Sequence, residues 1–467
     1  MSLRSPVALP PGPAAVQGWR TRTTFVLALS ASAVGLGNLW RFSYLSGEYG
    51  GAPFVITYLA CLFLIAVPVM VAEVVVGAHG RAGPLVAIRE ASDRSLISRG
   101  WMFVGVLACI TGLLILVLYM VVAAWGLAYA QFMYTGVFSA APAREVGEHF
   151  GKLLLDPVRQ AYWLSVFALA VCGIVMMGVR RGLGLAVWLA VPALLTLLGY
   201  LIRFGFENGD LRAAGDFLFN TRWIDFNAEA ALVAMAHAFY TLGIGVATGV
   251  CYGAYTPERI PIGRSVIAVA VFDGMIALLV GLAIFPIVFA NNVEPTYGPG
   301  LLFVSMPYAF GNTSEGELYG TLFFIMVVLA ALGSAVAILE PIVAALKEHT
   351  PLGRFTSTVV VGCTAWLTGM AVITSLASRE APQWYGNRNL FQFLDYLGAD
   401  VLLPLVCLLF ALFVGWRLRP EILRAQLYRE SNAFYVVWRF LLRYIVPAAI
   451  IVLMLASVVT GPSVQTS

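Results

Sequence analysis

Apolar residues run along this chain in long blocks, and polar residues collect in the short stretches between them. A helix needs about 20 apolar residues to cross the hydrocarbon core of a bilayer. Eleven blocks reach that length: 20–47, 52–78, 97–135, 160–179, 182–202, 229–255, 263–290, 318–348, 355–377, 389–416 and 433–459. They predict an all-α integral membrane protein with 11 transmembrane helices. The third block is long enough to cross at a tilt and project beyond the bilayer. Residues 1–18 carry prolines at 6, 10, 11 and 13 and do not resemble a signal peptide, so they read as a flexible tail. Residues 19–459 then form one membrane domain and 460–467 a short tail after the last span.

Composition narrows the class. The 467 residues are 60% hydrophobic and 11% charged, whereas an ordinary soluble domain is about 25% charged. A soluble globule, a disordered chain and a nucleic-acid binder are disfavoured together, because a net charge of +4 over this length makes no phosphate-binding stripe. The six cysteines lie in apolar stretches without a C-x-x-C, which argues against a disulfide scaffold or a zinc site. With the amino terminus cytoplasmic, most of the 28 Lys and Arg residues fall on the cytoplasmic side, among them Arg180, Arg181, Arg417 and Arg419. The positive-inside rule favours that orientation, in a cell inner (plasma) membrane. Segments 136–159, 203–228, 291–317 and 378–388 become external loops and the carboxyl terminus is extracytoplasmic.

Two blocks carry glycine and polar residues near their middles: Ala31-Ser32-Ala33-Val34-Gly35-Leu36-Gly37-Asn38 in the first, and Tyr240-Thr241-Leu242-Gly243-Ile244-Gly245 in the sixth. Glycine costs about 1 kcal/mol against Ala in a helix interior. Unwound backbone at that depth is tolerated where it lines a cavity. The competing reading is close packing of helices through small residues. Blocks 1 and 6 open two five-span halves, about 20–202 and 229–416, with 433–459 left as an extra helix. Interrupted helices at matching places in two halves point to a transporter's binding site. Asp273, Glu73 and Glu340 lie inside spans, with Arg41 and Asp395 toward outer ends. Charges there are costly and mark ion or substrate paths by default. His237 is a lone histidine, for which packing is the simpler role.

The run Ala33-Val34-Gly35-Leu36-Gly37-Asn38-Leu39-Trp40-Arg41-Phe42, followed by Gly50-Gly51-Ala52-Pro53-Phe54, closely resembles the first helix of the neurotransmitter:sodium symporter family. The form in view is the eleven-helix, bacterial leucine-transporter-like one. The aromatic-Thr-Leu-Gly run of block 6, Ala330-Ala331-Leu332-Gly333-Ser334 and Arg443-Tyr444 with Pro447 extend the likeness over nearly the whole chain. The resemblance implies a LeuT-type fold: an inverted five-helix repeat with broken helices 1 and 6. It also implies sites.

By that resemblance a substrate carboxylate meets the N–H groups of Leu36 and Gly37 and the hydroxyl of Tyr119. The amine meets carbonyls of Ala33, Tyr240 and Thr241. Ser32, Ile115, Gly243, Val246, Ser334 and Ile338 complete the pocket, and Phe239 with Tyr119 forms its lid. Gly35 stands where monoamine carriers have Asp, so a zwitterion fits better than a bare amine. A first sodium takes Ala33, Asn38, Thr241 and Asp273. A second takes Ala31, Val34, Ala330 and Ser334, but Gly333 replaces a hydroxyl ligand there, which leaves one or two sodium ions open. Arg41 and Asp395 form the outer gate; Trp19, Tyr255, Glu340 and Glu348 belong to the inner one. Val16 stands where an inner-gate arginine is expected, with Arg20 or Arg22 as substitutes. Gly182 and Pro192 have the spacing linked to local unwinding of the fifth helix.

The expected activity is sodium-coupled import of a neutral, hydrophobic or aromatic amino acid by alternating access. Chloride is not needed, because Asp273 supplies the negative charge. An Asp273 left without its cation would favour taking up a proton, with His237 as relay, giving proton counter-transport. Alternatives are a sodium-coupled carrier of an osmolyte or other carboxylated amine, and a non-transporting amino acid sensor. An intramembrane enzyme using Asp273 and His237 lacks any nucleophile, metal-ligand spacing or organic cofactor motif. The partners are the amino acid, sodium ions and the lipid bilayer, with no nucleic acid.

Overall fold

The structure, a computed structural model, describes residues 18–292, 299–378, 382–384 and 388–459. The two terminal tails, apart from Gly18, and Val16 lie outside these residues. The helices are α1 Arg22–Ala33, α2 Gly37–Glu48, α3 Ala52–Gly80, α4 Pro84–Ser95, α5 Arg99–Tyr134, α6 Ala143–Leu154, α7 Pro157–Met176, α8 Val179–Asn208 and α9 Leu211–Phe219. They continue as α10 Ala228–Thr241, α11 Thr248–Ala254, α12 Ile262–Ala290, α13 Leu301–Gly311, α14 Gly316–His349, α15 Arg354–Ala377, α16 Leu390–Arg417, α17 Pro420–Gln426 and α18 Asn432–Ala456. Among the described residues nine helices are long and apolar enough to cross a membrane, and ten if α1 and α2, which meet at 65°, form one span. The protein is an all-α, multi-pass membrane protein with a broken first helix.

Block 6 is not one long helix. It holds α10 and α11, of 14 and 7 residues. The turn between them has φ of +63° at Gly243, +76° at Gly245 and +64° at Ala247. Glycine adopts that left-handed backbone without penalty; Ala247 does so at a cost of about 1–3 kcal/mol. Block 5, by contrast, does not unwind at Pro192, which sits inside continuous α8. The irregularity falls at its start, in a π turn over Val179–Leu183. A Cβ on Gly182 would lie 2.0 Å from the Ile174 carbonyl oxygen, so close chain approach accounts for that glycine.

Three expected loops carry helices. Asp156 and Asp210 accept N–H bonds from Arg159 and Ala213, both at 2.9 Å, and so cap α7 and α9. In α6, Val146 and Leu153 are buried while Arg144 and Glu148 pair on the exposed face. Amphipathic surface helices of this kind lack the long apolar run that marks a span.

Packing sets the centre. α14 runs along α5, α11 against α3, and α12 against α8, while α1 lies between α12 and α14. The break of α1 and the turn after α10 therefore meet in the interior, at the level of Tyr119 in α5 and Ser334 in α14.

Candidate functional site

α1 begins at Thr21, whose hydroxyl accepts the Thr24 N–H at 3.2 Å. It stops at Ala33 because Val34 turns to extended backbone, φ −71° and ψ 100°. Helical turns resume at Gly37. A Cβ on Gly35 would fall 2.5 Å from the Tyr119 hydroxyl oxygen and 2.7 Å from the Ser334 hydroxyl. A side chain there would have to push both hydroxyls aside. The Tyr119 hydroxyl faces the Leu36 and Gly37 backbone, Ser334 and the Tyr240 hydroxyl. The N-terminal N–H groups of α2 and one phenol thus converge on a single spot, an arrangement that favours an anion.

Beside it lies an oxygen cluster. The Asn38 amide donates to Asp273 Oδ1 at 2.7 Å, and the Tyr58 hydroxyl to Oδ2 at 3.2 Å. Thr241 Oγ1 is 2.9 Å from Asn38 Oδ1 and 2.8 Å from Asp273 Oδ2. One hydroxyl hydrogen cannot serve both, so one oxygen pair is in close contact without a proton between. Asn38, Thr241 and Asp273 are all buried. A buried carboxylate ringed by neutral oxygens matches the donor set of a hard monovalent cation. Among the described residues no group of three or more His, Cys, Asp or Glu could hold a metal.

The central cavity opens between these two features. Ser32, Ala33, Gly37, Ile115, Tyr119, Tyr240 and Thr241 line it, as do Gly243, Val246, Ser334 and Ile338. It is nearly closed, with a free volume of only about 20 Å³. A Cβ on Gly243 would meet only the Ser32 carbonyl oxygen, at 3.8 Å, so glycine leaves space on that wall. Leu403 and Thr248 also line the cavity; neither was expected, because Leu403 comes from α16, far away in sequence. Leu36 lines the outer cavity instead. Phe239 is buried and lines neither. Tyr240, the next residue, lines both cavities instead. One residue is about 100° around a helix, and the facing of α10 decided it.

The outer cavity, about 370 Å³, contains Arg41 and Asp395 in its walls. The Arg41 guanidinium stands 5.7 Å from the Tyr240 ring centre. Glu73 has a role that its sequence position does not reveal. Its carboxylate accepts the Gly245 N–H at 2.7 Å and the Gly249 N–H at 3.1 Å, holding the turn between α10 and α11.

At the other end, the Trp19 N–H donates to the Tyr255 carbonyl at 2.9 Å, and the Tyr255 hydroxyl to Glu340 Oε1 at 2.6 Å. Neither expected substitute arginine reaches Glu340. Arg22 donates to Ser265 at 2.9 Å, and Arg20 is exposed. Arg354, at the start of α15, forms a two-pronged pair with Glu340. Glu348 instead accepts the Gly83 N–H at 2.6 Å.

The second expected cation position is of another kind. Ala31, Val34, Ala330 and Gly333 share a small, mostly apolar cavity with Leu194 and Phe272. A Cβ on Gly333 would sit 2.6 Å from the Ala31 carbonyl oxygen. The Ser334 hydroxyl donates toward the Ser32 carbonyl at 3.2 Å.

The pattern that defines the Sodium:neurotransmitter symporter family matches residues 17–143 and 154–466. An uncharacterized sodium-dependent transporter, YhdH of Bacillus subtilis, is 30% identical over 441 residues, covering 94% of this chain and 96% of its own length. An uncharacterized sodium-dependent transporter of Haemophilus influenzae is 25% identical over 94% of this chain and 98% of its own. The crystal structure of MhsT in complex with L-phenylalanine superposes with a TM-score of 0.86 at 32% identity, covering 94% of this chain and 99% of MhsT.

Proposed function

The chain belongs to the sodium:neurotransmitter symporter family, and from that premise we propose that it imports a neutral, hydrophobic or aromatic amino acid with sodium, by alternating access and without chloride. Membership makes it a sodium-coupled transporter rather than an enzyme. The observation that carries the substrate reading is the adjacency of the anion-favouring spot at Leu36, Gly37 and Tyr119 to the oxygen cluster of Asn38, Thr241 and Asp273. A substrate carboxylate on the first would touch a sodium in the second, with the Ala33 carbonyl as a further ligand. Each ligand then strengthens the other reciprocally. No charged side chain lines the central cavity among the described residues, and Ile115, Val246, Ile338 and Leu403 give it apolar walls. That supports a neutral side chain, and the L-phenylalanine bound by MhsT supports an aromatic one.

In this reading the two pairs α1–α2 and α10–α11 are each one broken span, which with the nine long helices makes eleven. The repeats are about 20–202 and 229–416, with 433–459 as the extra helix, in an inner membrane with the amino terminus inside. Residues 1–18 are a cytoplasmic tail and 460–467 an external one. Arg41 and Asp395 gate the outside; Trp19, Tyr255, Glu340 and Glu348 the inside, with Arg354 anchoring Glu340. One sodium couples transport, at the Asp273 cluster. The position at Ala31, Val34, Ala330 and Ser334 is a weak second site. A proton on Asp273 returns with the empty carrier.

The test is thermal unfolding of the purified protein against a panel of amino acids in sodium or potassium. Hydrophobic and aromatic amino acids raise the unfolding temperature in sodium alone. Equal shifts in potassium would overturn the coupling, and a shift by only a charged amino acid or a carboxylate-free amine would overturn the substrate class.

A further inference from the structure

Two cavities on the inner side of the central one meet at the foot of α1. The larger, about 810 Å³, is lined by Trp19, Arg20, Thr24, Arg180, Arg181 and Trp188, among others. The second, about 360 Å³, is apolar and climbs the face of α8 to Ala31 and Gly333. Met177, Arg181 and Leu185 belong to both, so the two are one continuous groove with a cationic mouth. Among the described residues no Asp or Glu lines either cavity, and none of the three arginines is in an ion pair. Arg180 is fixed at the foot of α1 by donating to the Gly18 carbonyl at 2.8 Å. Trp19 adds an independent sign. Its ring N–H is buried without an acceptor, and it lies 3.8 Å from where a Cβ on Gly184, another wall residue, would stand.

We propose that this groove binds an anionic phospholipid. The phosphate sits among Arg20, Arg180 and Arg181, and one acyl chain lies in the apolar groove along α8. Three guanidinium groups at a membrane boundary attract anionic headgroups, each adding to the preference. The groove beyond them has the character of a hydrocarbon chain's surroundings and is walled by exposed Met177, Leu185 and Leu189. The chain's own residues 1–17 are a poor match for the cationic mouth, since they contain Arg4 and no Asp or Glu. Free phosphate would satisfy the mouth and leave the groove uncovered. A bound lipid would tie the foot of α1 to the corner between α7 and α8, and so favour the state in which the inner end is shut. That consequence rests on the transport reading above; the binding does not.

The test is native mass spectrometry of the full chain, stripped of lipid in neutral detergent and titrated with phosphatidylglycerol or phosphatidylcholine of identical chains. Phosphatidylglycerol is expected to be retained at least ~10-fold more strongly. The Arg20→Gln/Arg180→Gln/Arg181→Gln variant loses that preference, and Ala186→Trp, which fills the groove, weakens retention with the charges intact. Should the triple variant not fold, Arg181→Gln with Ala186→Trp carries the same comparison. Equal retention of the two lipids by the wild type overturns the proposal. So does an unchanged preference in the arginine variants, or displacement of the lipid by inorganic phosphate alone. A phosphatidylglycerol preference in a protein without sodium-dependent amino acid binding would keep this site and break the transport reading instead.

Discussion

The two expected cation positions lie on opposite sides of the α1 break and differ in almost every respect. At the first, a buried carboxylate is surrounded by an amide, a threonine hydroxyl and a tyrosine hydroxyl within 3.2 Å. At the second, the position where the resemblance expects a hydroxyl is Gly333, packed so that a Cβ would stand 2.6 Å from the Ala31 carbonyl oxygen, and the hydroxyl of Ser334 donates toward Ser32. A cation leaving water needs negative charge and several oxygens in return. The first position has both. The second has backbone carbonyls and a mostly apolar surround, which is why one coupling sodium is proposed.

The strongest way to break this contrast is to remove the charge. Asp273→Asn keeps the shape and the hydrogen-bonding length, and is expected to lower sodium affinity by ~100-fold or more. Sodium titration of substrate binding reads it, and an unchanged midpoint would show that the coupling ion lies elsewhere. Tyr119→Phe tests the anion side of the same region. A hydrogen bond to a charged group contributes about 1.5–3 kcal/mol, so substrate affinity should fall roughly 10- to 150-fold. Wild-type affinity in equilibrium binding would displace the carboxylate from this spot. At the second position the prediction reverses. Gly333→Ala should cost about 1–3 kcal/mol of stability by overpacking against Ala31, seen as a lower unfolding temperature, while the sodium midpoint and a Hill coefficient near one stay as they are. A Hill coefficient near two in the wild type would make the positions equivalents after all. The smallest expected effect is none. Replacing chloride with gluconate should leave proteoliposome uptake unchanged, because Asp273 already balances the sodium; chloride-dependent uptake would give that balance to a mobile anion.

Much of this was legible because it is local. The glycine-rich run from Ala33 to Phe42 marks a helix break, and the structure breaks α1 there. Asn38, Thr241 and Asp273 were each identifiable by the resemblance, and they do meet. Other features were not legible, because a choice between neighbours turns on helix rotation. Phe239 and Tyr240 are both aromatic and adjacent, and only the docking of α10 put Tyr240 over the cavity. Arg354 escaped notice because it stands at the foot of a different helix from its partner Glu340, across the α14–α15 connection. Pro192 was a weak signal, since α8 absorbs it without unwinding.

The sequence alone determined that this is an all-α, multi-pass membrane protein, that its first helix breaks at the glycine run and which charged residues stand within apolar blocks. Those properties follow from residue chemistry summed over short windows: apolar run length, glycine placement and the cost of a charge in lipid. Only the tertiary structure decided that Glu73 clamps the Gly245 turn, that Arg354 anchors Glu340, and that Gly333 has no space for a side chain. Each depends on the approach of two helices, far apart in sequence for Glu73 and Gly333 and consecutive for Arg354. Such approach is set by how whole faces pack, and no short window of sequence carries that information.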